Sequence, residues 1–350
     1  MKLKKLLSYL ESIAPPAYQE SYDNAGLIVG HPDWNIKGVL VCLDATEEVL
    51  KEAIKKDCNV VVAHHPIVFR GLKRLNGYSY VERVVMMAVK HDIAIYAIHT
   101  NLDNVYYNGV NTRIAERLGL QNTRILAPKQ GLKKLYAFVA PNASDQVRAA
   151  LFAAGAGEVG DTRHLSYATV GAGTRDGQGG AQVKIEMIFD AVRQGAVVRA
   201  LREAHPEADP AYDIVSVENS NTQVGAGMIG ELSKPMKEKT FLRFLKKQMQ
   251  AGCVKYTQLF DRPITRVAVC GGAGGFLLRK AIAAQADIFI TADYKYHEFF
   301  DADGRIIIAD IGHYESEQYT IDLLFEVISQ KFSTFAAYCT TVNTNPVNYL

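Results

Sequence analysis

Two adjacent histidines, His64 and His65, follow the apolar run Val60-Val-Val-Ala63 and precede Pro66. Open α/β sheets bind ligands at the carboxyl ends of their strands, which is where these imidazoles fall. Successive strand side chains point to opposite faces, so adjacent histidines serve one site only where the strand is ending. Pro66 supplies that ending and biases His65 towards an extended backbone. The same geometry suggests that each histidine reaches a different metal of a pair. Two ordinary polar residues at the start of a loop would give the same local pattern.

Two further strand ends carry matching chemistry. Ile98-His99-Thr-Asn-Leu-Asp103-Asn104 follows the apolar run from Ile93. Asp103 offers a hard oxygen able to bridge two metals, whereas His99 reads as a core or supporting histidine rather than a direct ligand. Asp310-Ile-Gly-His313-Tyr-Glu-Ser-Glu317 follows the apolar run from Arg305. His313 and Glu317 are four apart, so a helix puts both on one face, which continues as Ile321, Leu324 and Ile328. A carboxylate on such a face is costly to bury unless it is paired, and a metal removes that cost. A histidine cap with a glutamate complementing the helix dipole is the alternative. Glu315 lies off the stripe, on the solvated side. His64, His65, Asp103, His313 and Glu317 make a mixed nitrogen–oxygen set suited to Zn²⁺, Mn²⁺ or Fe²⁺. Five ligands exceed one tetrahedral site with an open position but fit two metals sharing a carboxylate. Asp44, at the first strand's end, is a candidate for an acid–base or substrate-contacting role or for support of a ligand.

Cys270-Gly-Gly-Ala-Gly-Gly-Phe276 follows a strand and opens a helix, as a phosphate cradle would. It lacks the third glycine of GxGxxG and the Lys-Ser/Thr of a P-loop, so a tight turn is the commoner meaning.

The elements that must position these residues alternate. Strands at Gly38–Asp44, Asn59–Ala63 and Ile93–Ile98 are interleaved with helices from Val49, over Tyr80–His91 and over Gly109–Leu118. The alternation resumes with strands at Thr265–Cys270, Asp287–Ala292 and Arg305–Asp310, and a long helix through Ile328. This predicts α/β architecture with a mostly parallel sheet. The middle differs: the order βαββαβ, from Leu135 to Val217, predicts a ferredoxin-like unit punctuated by glycines at 171–173, 177–180 and 225–227. The expected organisation is a discontinuous α/β unit, 1–130 with 231–350, carrying an inserted domain at 131–230. Three consecutive domains are the weaker alternative.

At 48% hydrophobic and 22% charged, the chain has a core and is not disordered. Its net charge of +2 gives no strong nucleic-acid signal. Cys42, Cys58, Cys253, Cys270 and Cys339 form no CxxC pair and suit reduced thiols. Leu3, Leu6, Leu7 and Leu10 have helical spacing and Glu11 cuts the apolar stretch short, which argues against a signal peptide, and no stretch approaches a membrane span. A cytoplasmic protein is expected.

Ala63-His-His-Pro66, His99-Thr-Asn-Leu-Asp103-Asn, Thr291-Ala-Asp-Tyr-Lys-Tyr-His297 and Ile308-Ala-Asp-Ile-Gly-His-Tyr-Glu-Ser-Glu317 together resemble the NIF-three-like dinuclear-metal family, also known as GTP cyclohydrolase 1 type 2 homologues. Tyr22-Asp-Asn-Ala-Gly-Leu-Ile-Val-Gly30 matches it as well, so the resemblance spans nearly the whole chain. It implies two divalent metal ions on His64, His65, Asp103, His313 and Glu317, a CutA/PII-like insertion, and a toroidal homohexamer. Asp161-Thr-Arg-His-Leu-Ser departs from the family pattern, lacking its Tyr and Cys. Lys295 and His297, in the near-site segment, are candidates for acid–base or anion-binding roles or for support. The implied activity is metal-dependent hydrolysis of GTP cyclohydrolase type, with a nucleotide or phosphoester hydrolase as the nearest alternative. A metal-binding regulatory or scaffold protein without turnover is the competing class.

Overall fold

The computed structural model describes residues 1–175 and 178–350. Gly177, the head of one glycine run read as strand punctuation, lies outside them. The chain divides into two compact units, Met1–Ala127 with Val224–Leu350, and Pro128–Gln223. These boundaries lie slightly before the expected 130/131 and 230/231. The strands Leu120–Lys129 and Asn221–Lys237 run across both of them.

In the discontinuous unit each α/β run builds its own sheet. The first has the strand order Gly26–Val29, Ala94–Ala97, Val60–Ala63, Gly38–Cys42, Ala336–Cys339, parallel except for Gly26–Val29. The second runs Lys255–Tyr256, Ile307–Asp310, Ile288–Thr291, Pro263–Val269, Asn221–Lys237, Leu120–Lys129, with a parallel centre. Its flanking pairs, Lys255–Tyr256 on Ile307–Asp310 and Asn221–Lys237 on Pro263–Val269, are antiparallel. Period-two alternation assigns the faces. Val39, Val41, Val60 and Val62 share one core with Val267, Val269, Ile288 and Ile290 of the other sheet, whereas Leu40, Val61 and Phe289 face outward into separate cores under the outer helices. Both faces of these strands are therefore apolar, as parallel sheets require. The helices Leu3–Ile13, Val110–Arg117, Glu238–Gln248 and Thr320–Lys331 contribute Leu6, Ile114, Phe241 and Ile328 to the shared core.

The helix expected to run unbroken past His313 is two helices, His313–Glu317 and Thr320–Lys331. The stripe nevertheless holds, with Leu324 and Ile328 buried, but Glu315, expected on the solvated side, is buried as well, its carboxylate accepting from Asn345 Nδ2 at 3.1 Å. The edge strands Gly26–Val29, Lys255–Tyr256 and Ala336–Cys339 had no counterpart in the sequence pattern, because they are partly exposed and lack the fully buried apolar run of the central strands.

The inserted unit is an antiparallel sheet ordered Tyr167–Arg175, Gln178–Asp190, Leu132–Val139, Tyr212–Ser216, with helices Ser144–Ala153 and Gln194–Ala204. Leu135, Ile185 and Phe189 alternate along the strands to meet Val147, Leu151 and Leu201 from the helices. This is the βαββαβ ferredoxin-like arrangement. Among the described residues no helix is long and apolar enough to cross a membrane.

Glu52, on the helix Glu47–Lys55, fastens the chain beyond the last strand. Its carboxylate accepts from the Thr341 backbone at 3.0 Å and the Thr341 hydroxyl at 2.8 Å, and pairs with Lys56 at 2.8 Å. Burial pushes this carboxyl up, but the bonds from Lys56, Thr340 and Thr341 overcome it and hold it at about 2. A folded-state value below the unfolded one stabilises above pH 4.5, and that contribution disappears as the pH falls from there towards 2. Glu52→Gln should lower Tm at pH 7 by about 2–4 °C, with the deficit closing as the pH drops through this window; thermal scans between pH 7 and 3 measure it.

Candidate metal centre

His64 and His65 continue the strand ladder beyond Ala63, their amides donating to Cys42 O at 3.2 Å and Leu43 O at 2.9 Å. The strand is ending, so both rings reach one place, with centroids 4.9 Å apart. His64 is fully buried, and its Nδ1 is 2.8 Å from Ile98 O. His65 Nδ1 lies 2.7 Å from Asp44 Oδ1, and its Nε2 2.9 Å from Glu317 Oε2. Thr46 caps the helix that follows Asp44, accepting from the Val49 amide, which fixes the approach of this loop.

The one-turn helix His313–Glu317 delivers its two donors from the second sheet. His313 Nε2 sits 3.1 Å from Glu317 Oε2, and its Nδ1 is 2.7 Å from Asp293 Oδ2. Glu317 Oε2 is thus the common point: 2.9 Å from His65, 3.1 Å from His313 and 3.9 Å from His64. Asp103 Oδ1 stands 3.6 Å from His64 Nε2. Three groups result, His64–Asp103–Glu317, His65–His313–Glu317 and His64–His65–His99, each with ligand atoms within 4.8 Å of one another. Glu317 is the carboxylate shared by two groups, the place the sequence reading suggested for Asp103.

The electrostatics follow from burial. Burial drives His64 down to about 3, so its ring is neutral, as a metal ligand must be. Burial also pulls on His65, but the Asp44 and Glu317 carboxylates lift it to about 9; His313, also opposed by burial, is raised to about 11 by Glu317 and Asp293. Burial pushes Glu317 up, yet the charge and hydrogen bonds of His313 and His65 hold it well below the ordinary range. Burial and the Glu317 charge push Asp103 well above its own.

Two atoms test whether a cation fits. His64 Nε2 and Asp103 Oδ1 are both buried without a hydrogen-bond partner, and they face each other across 3.6 Å. Leaving such groups unmet costs about 1–3 kcal/mol each, and native folds rarely accept it. A divalent ion ligated by both would satisfy them, so the donor set fits a metal.

Asp44 on His65 and Asp293 on His313 form carboxylate–histidine pairs of the kind that orient metal-ligating imidazoles. A third carboxylate holds His99: Asp23 Oδ1 is 2.7 Å from His99 Nδ1, and its Oδ2 accepts from the Thr100 amide at 3.1 Å. Burial would raise Asp23, but the bonds from His99 and Thr100 take it to about 2. Asp23 and Asp293 escaped the residue-by-residue reading, although both lie within the family-like segments; nothing in their local spacing marks them. Lys295 and His297 do not join the cluster. Both are exposed, Lys295 3.8 Å from Glu298 and His297 against the Tyr296 ring.

The glycine-rich loop is a close-packed turn rather than a cradle. The amides of Gly271, Gly272 and Gly274 donate to Asn111 Oδ1, Ser316 Oγ and Thr291 Oγ1. Gly272 has φ +61°, and a Cβ there would lie 2.5 Å from Glu317 Oε1. A cavity of about 610 Å³ opens onto the cluster, lined by His65, His99, Asp103, His313 and Glu317, while His64 is sealed beneath.

The two stacked α/β sheets and this site define a mixed α/β protein with a candidate metal-binding His/Asp/Glu cluster. The chain belongs to the Duf34/NIF3 (NGG1p interacting factor 3) family, whose sequence pattern matches residues 1–346. It is 33% identical to a "GTP cyclohydrolase 1 type 2 homolog" of Bacillus subtilis, over 99% of this chain and 98% of that protein. Its fold matches a Bacillus cereus protein related to NIF3 with a TM-score of 0.88 at 33% identity, covering 100% of this chain and 99% of the other. A Staphylococcus aureus structure matches at TM-score 0.83 and 28% identity, over 100% and 99%.

Gly272→Ala should displace Glu317 without removing any ligand, weakening retained metal about 10–100-fold. His65→Ala should do so at least as severely. Elemental analysis after dialysis against a graded chelator series reads both, and unchanged retention in Gly272→Ala would show that Glu317 does not hold the ion.

Proposed function

We propose that the protein is a metal-dependent hydrolase acting on a nucleotide, with two divalent ions (Zn, Fe or Mn) held by His64, His65, Asp103, His313 and Glu317. The observation that carries this reading is the open cavity over a donor set in which His64 Nε2 and Asp103 Oδ1 are otherwise unsatisfied. Paired metals, when bound, lower the pKa of water and polarise the bond to be cut. The chain's own residues supply the rest. Asp44 and Asp293 orient His65 and His313. His99, locked by Asp23, lines the cavity as a substrate-contacting group. The name carried by the Bacillus subtilis relative supports cyclohydrolase-type chemistry. We place the protein in the cytoplasm, where the free buried thiols of Cys42, Cys58 and Cys270 stay reduced, and we propose a homohexamer as its assembly.

Metal-replete protein should contain close to two ions per chain and turn over at least one member of a nucleotide panel followed by mass spectrometry. His313→Ala should abolish that turnover while folding and assembly persist. A panel left unchanged by metal-replete protein would favour a metal-binding regulatory or scaffold role, and turnover that survives the substitution would have its source outside this site. Light scattering should give six chains per particle; a stable monomer at micromolar concentration removes the hexamer.

A further inference from the structure

The cavity over the donors is chemically one-sided. Among the described residues no lysine or arginine lines it. Five carboxylates stand in or directly behind the cluster: Asp103 and Glu317 as donors, and Asp44, Asp293 and Asp23 on the three histidines. Two divalent ions bring four positive charges, so the loaded centre keeps no surplus to attract a phosphate chain. The glycine-rich loop adds little, because the amides of Gly271, Gly272 and Gly274 are already bonded within the protein. Lys255 lines a separate cavity behind His65 and His313, and Asp310 takes its charge at 2.6 Å.

Rings replace cations. Tyr22 and Phe69 have centroids 6.3 Å apart, and Phe69 is 6.3 Å from His99, so an aromatic path runs from the surface to the donors. Phe276 joins the lining with its side chain largely in solvent. Exposed aromatics of this size suit stacking against a planar heterocycle. Cations return only at the rim. Phe69 and Tyr80 both line the cavity, and the loop between them carries Arg70, Lys73 and Arg74, all exposed and without an ion-pair partner among the described residues.

We propose that this cavity takes a nucleotide ring-first, with the uncharged heterocycle against the metal donors and the phosphate outside on Arg70, Lys73 and Arg74. The inference rests on the nucleotide reading above and deepens it, since a ring carbon rather than phosphorus then meets the centre. Phosphoester hydrolysis needs the opposite orientation.

The test uses metal-loaded full-length protein, with guanosine, GMP and inorganic phosphate as probes in calorimetry. GMP should bind more tightly than guanosine, and added salt should erase the difference. The combined variant Arg70→Ala/Lys73→Ala/Arg74→Ala should weaken GMP about tenfold, the scale of a few screened charge contacts, and leave guanosine unchanged. Its metal content and melting curve serve as folding controls. Phe69→Ala should weaken guanosine and GMP alike. The orientation is overturned if the triple variant binds GMP normally, if phosphate competes with GMP while guanosine does not bind, or if no probe binds. In that last case, turnover of any other substrate that depends on His313 leaves the hydrolase reading standing.

Discussion

One buried carboxylate organises this molecule. Glu317 is almost wholly removed from solvent, and a charge so placed survives only with opposite charge in contact. His65 arrives from the first sheet and His313 from its own helix at the end of the second, both within about hydrogen-bonding distance of the same oxygen. The two sheets must therefore present their strand ends to one point. The shared core of alternating valines and isoleucines, continuous between them, keeps that convergence rigid. Without a cation, the protonated imidazoles supply the balancing charge. With one, the same geometry exchanges protons for metal.

A second tier of carboxylates narrows what the site can accept. Asp44, Asp293 and Asp23 each grip one histidine, fixing ring orientation at the expense of positive potential. Thr344 donates to Asp44 at 2.6 Å, so the segment beyond the last strand, itself fastened by Glu52, reaches back to the site. Among the described residues, the cavity over these donors is lined by carboxylates and rings and by no lysine or arginine.

Much of this was legible in the sequence, for a physical reason. Buried parallel strands are apolar on both faces, so Val60–Ala63 and Ile288–Thr291 stand out as runs, and polar residues at their ends read as a site. The four-residue spacing of His313 and Glu317 fixed their common face even though the helix breaks after Glu317. Asp23 and Asp293 were not legible because each acts through a contact far along the chain, His99 with Asp23 and His313 with Asp293, that no local period encodes. The shared role of Glu317 depends on how two sheets converge, which spacing within one segment cannot express. Lys295 and His297 show the converse: residue types suited to chemistry, left in solvent by the turn that carries them.

The donors are also separated in time. His64, His65 and Asp103 are translated some two hundred residues ahead of His313 and Glu317, a delay of roughly 10–40 s at ordinary elongation rates. During that interval a nascent chain displays half a chelate, with two imidazoles and a carboxylate that lack the oxygen meant to join them. Three such ligands can hold an ion, but not in the geometry that the shared Glu317 oxygen completes. The complete donor set therefore exists only once the second sheet has closed, so an ion held by all five residues would have to enter the finished chain.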